Sequence, residues 1–243
     1  MKLALLSDIH ANVRALDACL AHARALYPEV VLSEENILGG TRSSRICGRN
    51  GFVYPTAVAR VRRTIELAGG GPVTLFLSVR DPAHFYVSAF ALQMSHGAEV
   101  EFGAYLADRN PAQIGWTGLV RRLSGISGVA RVVVWRYEDY AALRPRLLAR
   151  LLPPALAAGI PDPPPANESV TQAGYEWFVR RALNDSDIDL RLLVRRARNR
   201  FPRAEGHGPM RPLDAATYAR SARKYDDQMA LMGDLPGVEF LTP

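Results

Sequence analysis

The chain has 243 residues, 48% of them apolar and 22% charged, with two cysteines and a formal net charge of +6. Those totals leave room for one large buried core, and they exclude a disulfide framework or a thiolate metal cluster. No apolar run approaches the roughly 20 residues of a membrane-spanning helix, so no membrane partner is expected and the cytoplasm is the expected compartment.

Elements follow in chain order. Lys2 to Ser7 is read as a buried strand and not a secretory signal, because its apolar stretch is short and Asp8 follows at once. Val13 to Leu26 carries apolar residues at helical spacing, and Glu29 to Ser33 is a second strand. A helix over Thr56 to Ala68 starts after Tyr54-Pro55 and stops at Gly69-Gly70-Gly71. The third strand, Pro72 to Val79, leads into a helix over Pro82 to Ser95. Trp116 to Leu123 is helical, Ala130 to Arg136 is a fourth strand, and a helix over Arg144 to Leu152 ends at Pro153-Pro154.

Ile160 to Pro165 is too proline-rich for a helix and must run extended over the surface. Thr171 to Leu183 and Asp187 to Asn199 read as strongly basic helices, Thr217 to Met232 as the last helix, and Val238 to Leu241 as a short edge strand. The four longer strand candidates are continuous Val- and Leu-rich runs, the pattern of strands covered on both faces. Alternation of such strands with helices predicts an α/β chain, three-layer α/β/α, with a mostly parallel sheet and a helical C-terminal portion. One domain over 1–243 is the economical organisation.

Three segments carry chemistry. Val30 to Asn36 is a strand ending in Ser33-Glu34-Glu35. Leu75 to Pro82 ends in Arg80-Asp81-Pro82 and continues through His84 to Ser88. Val132 to Tyr140 contains Arg136-Tyr137-Glu138-Asp139. A buried strand ending in Arg-Asp-Pro delivers a guanidinium to the carboxyl edge of a parallel sheet, where open α/β folds bind ligands. There, Arg80 and the Ser88 hydroxyl could together hold a phosphate. Adjacent Glu34 and Glu35 offer a carboxylate for general base work, or for a helix N-terminus. Trp135 and Tyr137 are read as core. Arg42, Arg45 and Arg49, with Cys47 and Tyr54, form a polar loop after the second strand, placed to act as a lid over a bound ligand.

In order and spacing these segments, with Asn167-Glu168-Ser169 after the prolines, resemble the bacterial sulfotransferase-like family, of P-loop fold, from about residue 27 to the end. The resemblance implies sulfuryl transfer from 3′-phosphoadenosine 5′-phosphosulfate to a hydroxyl or amine. Arg80 and Ser88 would hold the donor's 3′-phosphate, and Glu35, or Glu34, would take the acceptor's proton. The acidic corner Glu138-Asp139 would be architectural, and the acceptor an unknown small molecule or glycan. No metal is expected.

The family opens with a glycine-containing loop that carries a lysine and a threonine or serine and cradles the phosphosulfate. Here Leu6 to Arg14 holds no glycine, threonine or lysine, and Lys2 and Lys224 are the only lysines of the chain. His10 and Arg14 are the cations available to stand in. That absence opens a second reading, a non-catalytic relative that binds a nucleotide or a partner. Ser7-Asp8-Ile9-His10-Ala11-Asn12 resembles instead the first motif of calcineurin-like metallophosphoesterases, in which Asp8 and His10 would ligate metal. The remaining motifs of that family are missing from the chain. A strand–loop–helix borrowed from such an enzyme would fill the first place in the sheet. Nucleic acid is not expected as a partner: the basic run Arg191 to Arg200 lacks interleaved aromatic residues.

Overall fold

The computed structural model describes residues 3–7, 22, 29–34, 36–48, 51–162, 169–185 and 187–243. Three strands, β3 (Val73–Val79), β4 (Val129–Arg136) and β5 (Val238–Leu241), form a sheet in that order with every pair parallel. Val132 and Val134 point from β4 into the main core, whereas Val133 points the other way, onto Leu143, Leu147 and Leu241. This alternation is the two-residue period of a strand buried on both faces, so the sheet is sandwiched.

The larger helical layer consists of α3 (Pro82–Ser95), α5 (Trp116–Ser124) and α10 (Ala215–Ala230), with α2 (Ala57–Leu67) against α5. Two short helices, α1 (Ser43–Ile46) and α4 (Phe102–Leu106), pack on α3. On the opposite face α6 (Tyr140–Leu151) supplies Leu143 and Leu147, and the short α7 (Pro154–Ala157) follows it. The C-terminal portion adds α8 (Gln172–Asn184) and α9 (Leu190–Arg200), which pack on each other and on α3. The result is α/β, with helices on both faces of a parallel sheet. Among the described residues no helix is long and apolar enough to cross a membrane.

Helix α3 sits at the centre. Asp81 caps its N-terminus by accepting from His84 N at 3.1 Å, and Pro82 occupies the first turn, where its missing N–H costs nothing. Tyr86, Phe90 and Met94 are fully buried along it. Phe90 packs against Phe102, Tyr105 and Tyr175 with ring centroids 5.2, 5.4 and 5.7 Å away.

Four sequence expectations need correction, one of strand placement and three of helix starts. Strand β1 (Leu3–Ser7) pairs in parallel with β2 (Glu29–Ser33), but these two form a separate two-stranded sheet. β1 therefore does not fill a place in the sheet that ends in Arg80. An apolar run reports that a strand is covered, not which strand lies beside it. Second, α6 starts at Tyr140 rather than Arg144, with Pro145 inside it. The 3₁₀ turn Tyr137–Asp139 feeds directly into this helix, so Pro145 falls in its second turn and not at its start. The starts of α9 and α10 move for a simpler reason: Asp189 caps Arg191 N and Leu192 N, and Asp214 caps Thr217 N.

Candidate functional site

The site lies at the carboxyl edge of the three-stranded sheet. Its first side chain is Arg80, one residue beyond β3. The guanidinium carbon stands 4.7 Å from the centroid of the Tyr137 ring, and the Arg80 carbonyl accepts the Trp116 indole N–H at 2.8 Å. Among the described residues Arg80 pairs with no carboxylate, although Asp81 adjoins it and Glu138 is close by.

Both acids are committed elsewhere. Asp81, 7% exposed, accepts at Oδ1 from His84 N, His84 Nδ1 at 3.0 Å and Ser221 Oγ at 3.2 Å. Burial works to raise this carboxyl, but the bonds from His84 and Ser221 and the adjacent imidazole together outweigh it and hold it below its ordinary range. Glu138 accepts Asp81 N at 3.3 Å through Oε1 and lies 3.1 Å from the Tyr225 hydroxyl through Oε2. That hydroxyl is also 3.0 Å from Val79 O, and burial together with the Glu138 charge pushes its pKa well up. Ser221 in turn accepts Ala83 N at 3.0 Å. Three segments far apart in sequence, 79–84, 136–138 and 221–225, are thus tied around the end of β3. The knot engages both acids in structure, and among the described residues Arg80 is left without a carboxylate partner.

Arg136 stacks at 5.1 Å over Tyr225 and pairs with Asp226 at 2.8 Å, so it braces the same corner from outside. Tyr137, expected in the core, is instead 52% exposed beneath Arg80. It sits just past the strand end, where side-chain alternation no longer buries it. Trp135 does pack beside Val133 on the α6 side of the sheet.

Ser88 lies on an exposed part of α3, one turn from His84. No hydrogen bond joins Ser88 to Arg80. Glu34 Oε1 accepts Asn36 N at 2.8 Å in a local turn, which Arg60 fastens to α2 through Asn36 O at 2.7 Å and Ile37 O at 2.9 Å. Glu35, Asp8, His10, Arg14, Arg49, Asn167 and Glu168 lie outside the described residues. Ser169 accepts from Arg203 at 3.1 Å.

In the proposed lid, Arg42 and Arg45 are exposed, while Cys47 and Tyr54 are buried. Burial raises the Cys47 thiol pKa, against a smaller opposing effect of Arg109 and Tyr86, and pushes Tyr54 up to about 12. These two side chains belong to the packing of the loop.

Trp116, Ser221 and Tyr225 are residues that the sequence did not single out. Their partners lie 36 to 146 positions away, so no local motif could flag them. Among the described residues the Arg80 guanidinium thus stands at a strand's carboxyl end without a carboxylate partner, with its carbonyl held by Trp116 and its guanidinium backed by the Tyr137 ring, an arrangement chemically able to receive an oxyanion. Compared with known proteins, the chain matches no family model, no curated protein and no solved structure.

Proposed function

We propose that the chain is a sulfotransferase-like protein that takes the 3′-phosphate of 3′-phosphoadenosine 5′-phosphosulfate on Arg80, with Ser88 as the second contact. The observation that carries this is the Arg80 guanidinium, left free of carboxylates at the edge of the sheet while Asp81 and Glu138 are both engaged. In the reaction, the bond from sulfur to the bridging phosphate oxygen breaks and a bond from sulfur to the acceptor's oxygen or nitrogen forms. The acceptor's proton passes to Glu35, or to Glu34, and the nucleotide leaves as 3′-phosphoadenosine 5′-phosphate. His10 and Arg14 are the cations of the opening segment assigned to the departing oxygen.

One observation favours a second reading, a nucleotide-binding relative that does not turn over. Leu6 to Arg14 lacks glycine, threonine and lysine, and Lys224 is occupied at Gln113 O, 3.3 Å away. Thermal unfolding with 3′-phosphoadenosine 5′-phosphate tests what both readings share. Ligand at about 100 times its dissociation constant adds roughly 2.7 kcal/mol, or several degrees at this length, and Arg80→Ala removes the shift. Sulfate transfer to a hydroxylated acceptor, measured on the same protein, then separates the two.

A further inference from the structure

The first turn of α3 carries an imidazole that the proposed nucleotide contacts do not use. His84 lies midway in sequence between Arg80 and Ser88, and it shares one face of the helix with the Ser88 hydroxyl one turn on. Ser88 is exposed, and the His84 side chain is 44% exposed. Capping the helix does not require the ring, because Asp81 already accepts His84 N and Ser221 Oγ.

The ring is held from the inside. Nδ1 stands 3.0 Å from Asp81 Oδ1, in a side chain only 10% exposed, and the Tyr218 ring of α10 lies 5.2 Å away. Burial of Asp81 is outweighed by the bonds from His84 and Ser221, which keep this carboxyl below its ordinary range. Near neutral pH it is therefore an ionised, acceptor-only group, and Nδ1 carries the proton between them. Nε2 lies across the ring, turned away from the carboxylate, and has no partner among the described residues.

The charged and titratable groups around the ring are Asp81 on its own helix, Tyr218 from α10, Arg211 stacked at 5.4 Å on that Tyr218 ring, and Arg80 just ahead of the helix. The one acid in that set is engaged at Nδ1. Neither arginine pairs with a carboxylate among the described residues. In the neutral ring Nε2 is an acceptor and repels a phosphate oxygen, whereas in the imidazolium it is a donor. We propose that His84 is the third contact of a tetrahedral oxyanion held by Arg80 and Ser88, and that it binds there as the imidazolium, so that binding takes up one proton. No covalent bond changes: the proton comes from solvent, Nδ1 keeps Asp81, and Nε2 donates to the anion. Taking that anion to be the 3′-phosphate rests on the proposed function. A contact made only by the protonated form loses its share of the affinity as the pH rises, by up to about tenfold per pH unit.

Proton NMR of the full chain, which holds five histidines, tests this across about pH 5.5 to 8.5, with the His84 signal assigned by its loss in His84→Gln. Inorganic sulfate, a dianion throughout, should raise the His84 midpoint by about 0.5 pH unit or more over chloride at equal ionic strength, and Arg80→Ala should abolish the rise. 3′-Phosphoadenosine 5′-phosphate should raise it likewise. By calorimetry His84→Gln should bind this nucleotide about tenfold more weakly than wild type at about pH 6.5 but no more weakly at about pH 8.5, with little change in its unfolding midpoint. A rise with sulfate but not with the nucleotide would uphold the anion site and count against the nucleotide. Nucleotide binding that needs Arg80 but leaves the His84 midpoint unmoved would overturn this inference alone. A midpoint moved by neither anion would overturn it as well.

Discussion

Replacing Asp81 by alanine tests the knot at the end of β3. The substitution removes the N-cap of α3, worth about 1 kcal/mol. It also strands the proton of Ser221, a hydroxyl with no exposed surface, at a further 1 kcal/mol or so. His84 is half-exposed and regains water, so its lost bond adds little. The sum is about 2 kcal/mol, or roughly 4–8 °C in Tm for a chain of this length. Urea unfolding followed by tryptophan fluorescence should show a lower midpoint with an unchanged slope. Asp81→Asn keeps an oxygen over His84 N and should lose only about half as much. The carboxyl is held below its unfolded value, so its contribution is complete above about pH 4 and fades as the pH falls through the lower folded value. Asp81→Asn should therefore flatten that part of the acid-unfolding curve. A loss under about 0.5 kcal/mol in Asp81→Ala would refute the reasoning.

Other substitutions probe separate parts of the molecule. Glu239 lies between Arg150 and Arg131, whose hydrogen bonds, Arg150 foremost, draw its pKa down to about 2. Glu239→Gln should cost about 1 kcal/mol at neutral pH after solvent screening, and nothing below pH 2, when stability is followed by urea titration across pH. In α8, a Cβ on Gly174 would stand 3.0 Å from Val170 Cγ1 and 3.3 Å from Ala197 O. Gly174→Ala should destabilise the fold by about 1 kcal/mol, overlap with α9 winning over the helix preference for alanine, and a raised midpoint would show the contact to be looser than described. Trp116→Phe keeps the T-shaped packing on Phe85 at 5.3 Å but loses the indole bond to Arg80 O. It should weaken nucleotide binding severalfold while costing about 1 kcal/mol of stability, the two being read by calorimetry and urea unfolding.

How much of this was legible in the sequence depends on whether a feature is local. The helix Pro82–Ser95 could be bounded because its cap, Asp81-Pro82, adjoins it and its end coincides with Ser95-His96-Gly97. The parallel strands Val73–Val79 and Val129–Arg136 could be placed from their apolar runs. The resemblance implied an architectural role for Glu138, and its bond from Asp81 N agrees with that, although no acidic side chain caps the following helix. Pairing could not be read in the same way: Leu3–Ser7 is as apolar as the others, yet it joins only Glu29–Ser33. The exposed Tyr137 was misjudged because aromatic character alone says nothing about where alternation stops.

The central claim is that Arg80 recognises a 3′-phosphate, and calorimetric titration with paired ligands addresses it most directly. Adenosine 5′-phosphate and 3′-phosphoadenosine 5′-phosphate differ only in that group. The wild type should prefer the second by about 10- to 100-fold, the worth of one charge-assisted pair, and Arg80→Ala should bind both alike. Equal affinities in the wild type, or a preference that survives Arg80→Ala, would contradict the account.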